Sequence, residues 1–143
     1  MIKRNVSAIC CGLLLILLGT VVLYGWVFHV PGMIQIMPNM VGMVANSAIS
    51  FILVGILLLS ITINGPQNNL TKLVLLTLLT TISTISLLEY ILGINLGIST
   101  FLIRPWLIDP NPIPGRMAPN STFAFLVMSI IFFLLPYGHK KYL

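Results

Sequence analysis

The sequence predicts an all-α membrane protein: four transmembrane helices forming a tandem parallel repeat of two helical hairpins, in a single domain spanning residues 1–143. Three observations predict it. The chain is 58% hydrophobic and 6% charged, whereas globular domains are about a quarter charged. Four long apolar runs are separated by stretches rich in Pro, Gly and Asn, which punctuate helices. Finally, Gly42-Met43-Val44-Ala45-Asn46-Ser47 returns in altered form as Arg116-Met117-Ala118-Pro119-Asn120-Ser121, and an apolar helix follows each copy. In this register Met43 pairs with Met117, Asn46 with Asn120, Ser47 with Ser121 and Phe51 with Phe125.

The first helix is expected from Val6 to about Trp26, behind the basic head Met1 to Asn5. At about 1.5 Å per residue it crosses a hydrocarbon core of about 30 Å. Its length, and the lack of a small-x-small cleavage site soon after it, favour a retained helix over a signal peptide. Ala8, Gly12 and Gly19 line one side and allow close helix packing. Cys10 and Cys11 are adjacent; pointing about 100° apart, they suit neither a metal site nor a routine disulfide and are read as buried structural cysteines. Trp26 and Phe28 are expected at the membrane interface.

From His29 to Ala45 the pattern breaks at Pro31-Gly32 and Pro38-Asn39. Met33, Ile34, Ile36, Met37 and Met40 make this loop too apolar to stand in water, so it is expected to rest on the outer membrane surface. The second helix is placed at Ser47 to Ile63, with Asn46 capping its first amides. The polar turn Asn64 to Asn69 makes the third helix, Leu70 to Leu92, its antiparallel neighbour. Thr77, Thr80, Thr81 and Thr84 share one side of that helix, while Glu89 lies about 80° beyond them. The threonines are read as packing residues or as donors to the carbonyl one turn back.

Gly93 ends the third helix. Leu96, Phe101, Leu102, Trp106 and Leu107 suggest a second interfacial element, which continues into the proline-stiffened run Ile108 to Gly115. The fourth helix is expected from Asn120 to about Leu135, stopped by Pro136 and Gly138, and short enough for the preceding segment to complete the crossing. The repeat units are then about 6–64 and 70–136. Lys3, Arg4, Lys72, Lys140 and Lys141 fall on one side, with Arg104 and Arg116 on the other. This bias places both termini in the cytoplasm and the two long loops outside.

The net charge of +5 therefore reads as topology, and no nucleic-acid partner is expected. The two carboxylates, Glu89 and Asp109, and the two histidines, His29 and His139, supply no paired acids, no HExxH and no Cys/His cluster. No enzyme activity, metal or cofactor is expected. The second copy replaces Gly42 with Arg116 and alone carries Glu89, Arg104 and Asp109. Ionisable groups near membrane depth are costly; Glu89 lies about 28 Å along its helix and is expected to be solvated, neutral, or paired with Arg116 or Arg104. Asn46 and Asn120 join these four as candidate ligand-binding or sensing residues around a cavity roofed by the outer loops.

Two stretches, Leu87-Leu88-Glu89-Tyr90-Ile91-Leu92-Gly93-Ile94-Asn95-Leu96-Gly97-Ile98 and Pro114-Gly115-Arg116-Met117-Ala118-Pro119-Asn120-Ser121-Thr122-Phe123-Ala124-Phe125, together resemble a known region. It is the N-terminal transmembrane sensory region of bacterial signalling proteins that carry PAS, histidine-kinase or GGDEF (diguanylate cyclase) domains. The resemblance runs from about Trp26 to Leu135. It implies an input module of the bacterial inner membrane. No output domain follows Lys140-Lys141, so the chain is expected to act through a homodimer mate or a separate cytoplasmic signalling protein, in contact with membrane lipid. The alternatives are a structural or assembly subunit of a membrane complex and, behind it, a small transporter or membrane enzyme.

Overall fold

A computed structural model describes residues 5–35, 37, 40–65, 70–101, 103–107 and 114–140, without the side chains of residues 99 and 136–140. The elements are α1 (Val6–Phe28), a 3-10 turn (Pro31–Met33), α2 (Ala45–Asn64), α3 (Leu70–Leu92), the short α4 (Ile98–Phe101) and α5 (Pro119–Lys140). There is no strand among the described residues. Helices α1, α2 and α3 are long and apolar enough to cross a membrane, and α5 is apolar from Pro119 to Leu135. The basic head Lys3-Arg4, Pro38-Asn39, Pro66 to Asn69, the proline run 108–113 and Lys141 lie outside the described residues.

Helices α1 and α2 touch at backbone distance because glycines face the contact. A Cβ on Gly12 would stand 2.8 Å from Leu59 Cγ and 3.1 Å from Gly55 O, and one on Gly55 would stand 2.7 Å from Gly12 O. Gly19 lies directly against Ala48 O. Side chains of ordinary size would push the axes apart, so these small residues set the spacing. The other face of α2 meets α3 and α5: Leu53, Val54 and Leu57 bury against Leu76 and Leu79 of α3, Phe125 and Phe132 of α5, and Met117. Helix α2 is thus the central element, with α1 on one side and the α3–α5 pair on the other.

Several expectations change. Asn46 is not a cap, because α2 begins at Ala45 behind an extended Val44 that makes no side-chain cap bond, and α5 begins at Pro119 rather than Asn120. Proline suits the first helical position, where its fixed φ is already helical and its missing N–H has no partner to lose. Helix α5 also runs through Pro136 and Gly138 to Lys140. A proline close to a helix end removes only one interior bond. Its 22 residues reach about 33 Å, of which the apolar part ends at Leu135.

Cys10 and Cys11 are exposed, because α1 turns Gly12, Gly19, Val22 and Gly25 inward instead. Trp26 is buried within the fold, and its Nε1–H donates to Met43 O at 2.8 Å. It joins Val22, Ile34, Ala45 and Ala48 in a second apolar cluster.

Candidate functional site

Helix α3 presents Ser83, Ser86 and Glu89 on its buried side, since residues three apart share a helix face. Thr77, Thr80, Thr81 and Thr84 are all exposed on the opposite side. The hydroxyls of Thr77 and Thr80 donate to Leu73 O and Leu76 O. The threonines and Glu89 therefore belong to separate surfaces.

Glu89 is 0% exposed, and what surrounds it depends on how α3 ends. Gly93 adopts φ 64°, a left-handed conformation open to glycine and suited to stopping a helix. The chain then doubles back, so that Leu96 N–H donates to Glu89 Oε1 at 3.0 Å. Gly97 N–H donates to Asn95 Oδ1 at 2.8 Å, a side-chain turn that fixes the bend locally.

Arg116 enters from the residues before α5 and is 9% exposed. Its Nη2 donates to Ile94 O at 3.1 Å, its guanidinium carbon lies 4.7 Å from the Tyr90 ring centroid, and its Nε stands 3.9 Å from Glu89 Oε2. Stacking on the ring stabilises the cation where water is scarce. From α2, Asn46 Nδ2 donates to Ile98 O at 3.0 Å, and Asn46 is 2% exposed. One short segment, 94–98, is therefore clamped by side chains from three separate parts of the chain.

The clamp is incompletely bonded. Among the described residues, Glu89 Oε2, Arg116 Nε and Ser86 Oγ are buried without a hydrogen-bond partner. Buried polar groups are almost always satisfied, and a buried ion pair offsets its desolvation only when its geometry and remaining bonds are good. This pair has one bonded carboxylate oxygen and one unbonded.

Of the six candidate residues, the fold brings together Glu89, Arg116 and Asn46. Arg104 and Asn120 are exposed, and Asp109 lies outside the described residues. Arg116 rather than Arg104 is the partner of Glu89. A groove lined by Leu73, Val74, Thr77 and Leu78 opens on the threonine side of α3, away from Glu89. The described residues contain no group of three or more His, Cys, Asp or Glu able to hold a metal ion.

Sequence reasoning missed the backbone of 94–98, which shows in sequence only as Ile94-Asn95-Leu96-Gly97-Ile98 after Gly93. It placed Trp106 in an interfacial element but missed what that residue holds. The indole of Trp106 donates to Trp26 O at 3.2 Å, meets the Trp26 ring edge to face at 5.8 Å and lies 4.8 Å from the His29 ring. The segment after α4 thus docks on the end of the α1–α2 pair, with Ile103 and Leu107 beside Trp106 in the same cluster. Comparison with known proteins finds no matching family model, curated protein or solved structure.

Proposed function

We propose that the protein is a sensory or regulatory input module embedded in the bacterial inner membrane, multi-pass with both termini cytoplasmic, whose moving part is the 94–98 segment. The observation that carries this reading is the junction itself: Asn46, Glu89 and Arg116 reach 94–98 from α2, from α3 and from the lead-in to α5. Whatever loosens the segment loosens both helix pairs at once. A proton on Glu89, or a small molecule or lipid head group offering Arg116 a better partner, supplies the differential affinity that a shift between two arrangements requires. The shift then travels down α5 to its basic end and on to a dimer mate or a cytoplasmic signalling protein.

The tandem repeat belongs to this reading. Phe51 and Phe125, paired by the sequence register, meet edge to face at 5.1 Å, as residues beside an axis between two hairpins would. The resemblance to sensory regions of PAS, histidine-kinase and GGDEF proteins supports the same role.

The test is purification from native membranes in mild detergent, for the wild type and Glu89→Gln. A co-purifying histidine kinase or diguanylate cyclase, with activity altered by the substitution, is the expected result. Recovery only within a fixed multisubunit assembly, with the same composition and activity in both, overturns sensing. That outcome favours a structural or assembly subunit, a reading supported by the complete burial of Glu89.

A further inference from the structure

Helix α3 carries two seams. The inner one, Leu76, Leu79, Ser83 and Ser86, is buried in the fold. The outer one, Val74, Thr77, Thr81, Thr84, Leu88 and Ile91, recurs at alternating steps of three and four and is exposed along its length. That spacing keeps side chains on one line toward a neighbouring helix. Its middle is polar while its two ends are apolar.

The other outward faces differ. Helix α1 exposes Leu13, Leu14, Leu17 and Leu18, and α5 exposes Phe123, Val127, Ile130 and Ile131, all side chains at ease in lipid. On α3, among the described residues, the hydroxyls of Thr81 and Thr84 have no partner within the chain. A hydroxyl left unbonded in hydrocarbon is costly, and interhelical bonds from threonine, with close packing of small side chains, are a recurring means of helix association in membranes.

We propose that the outer seam of α3 is the interface with a second copy of this chain, the two α3 helices lying parallel about an axis along the membrane normal. Three features select a second copy as the occupant. A hydroxyl both donates and accepts, so a threonine seam is complementary to itself. A two-fold axis along the normal puts the same residues of both copies at the same depth, bringing Thr81 and Thr84 level with their counterparts. The groove lined by Leu73, Val74, Thr77 and Leu78 adjoins the seam and receives a side chain from the facing helix. This names the surface for the dimer mate in the reading above. It needs that reading's membrane setting but not its sensing role.

The test uses full-length protein in lipid vesicles with Cys10 and Cys11 changed to Ser. Single cysteines are placed at Thr77, Thr81 and Thr84 on the seam, at Leu14 on α1 and at Ile131 on α5, and oxidised with copper phenanthroline. Disulfide-linked dimer is expected several-fold more at the three seam positions than at the other two. Thr81→Val with Thr84→Val keeps the side-chain shape and deletes two hydroxyls, and is expected to weaken the dimer about tenfold, read by single-molecule photobleaching across protein densities. Equal cross-linking at all five positions, a maximum on α1 or α5, or one-step photobleaching of the wild type at every density overturns the proposal. Because neither measurement reads signalling output, a failed seam leaves the co-purification test standing, and the converse also holds.

Discussion

Glu89 Oε2 and Arg116 Nε face each other at 3.9 Å, both buried and neither hydrogen-bonded among the described residues. The two charges stay close because each is anchored elsewhere, the carboxylate by Leu96 N–H and the guanidinium by Ile94 O and the Tyr90 ring. Removing either member therefore has unequal effects. Arg116→Ala strips the partner from a fully buried carboxylate and is expected to destabilise the protein by about 3 kcal/mol. Glu89→Gln keeps an acceptor for Leu96 N–H and removes the charge, for a loss of about 1 kcal/mol. Thermal unfolding in detergent measures both; equal losses, or a larger loss for Glu89→Gln, contradict the anchoring described here.

Asn46 and Asn120 occupy matched sequence positions, yet they should respond differently. Asn46→Ala leaves the part-buried Ile98 carbonyl without its donor, for a loss of about 1–2 kcal/mol. Faster amide hydrogen exchange across 94–98 should accompany it. Asn120 is exposed, so Asn120→Ala is expected to stay within about 0.5 kcal/mol. Were both residues caps, the two substitutions would cost alike.

This contrast also marks where the sequence is legible. Helix α3 occupies the span its apolar pattern predicts, and α1 and α2 differ from theirs by one or two residues at the ends. Hydropathy and turn residues act locally, so their signal lies in the residues themselves. Glu89 and Arg116 stood out because charges are scarce in this chain. What they hold could not be read, because the partners in the clamp are backbone groups of 94–98, and every residue carries those groups whatever its side chain. The stop expected at Pro136 failed for a related reason: a proline signal reports a local preference, which close to a helix end weighs only one backbone bond.

The α1–α2 contact gives a sharper packing test. Gly55→Ala places a methyl 2.7 Å from Gly12 O and from Ile16 Cγ1. Backbone cannot yield as a flexible side chain does, so the helices must separate, at a cost of about 1–3 kcal/mol. Gly32→Ala, where an added Cβ meets nothing within 4 Å, is the control and should be neutral. Unfolding in mixed detergent micelles with rising SDS separates them; a neutral Gly55→Ala would mean that the two helices do not approach at backbone distance.

The two tryptophans report whether the 94–98 clamp governs docking of the segment that follows it. Trp106 holds to α1 through its bond to Trp26 O and its edge contact with the Trp26 ring, while the clamp lies just before it in sequence. If the two form one unit, Arg116→Ala frees both, and Trp106 moves into a wetter setting. In a Trp26→Phe background, which leaves Trp106 as the only indole in the chain, Arg116→Ala should shift the emission to longer wavelength and increase quenching by iodide. Unchanged emission alongside faster exchange at 94–98 would show that the clamp and the Trp106 contact act separately, and that a signal at Glu89 stops at the α3–α5 pair.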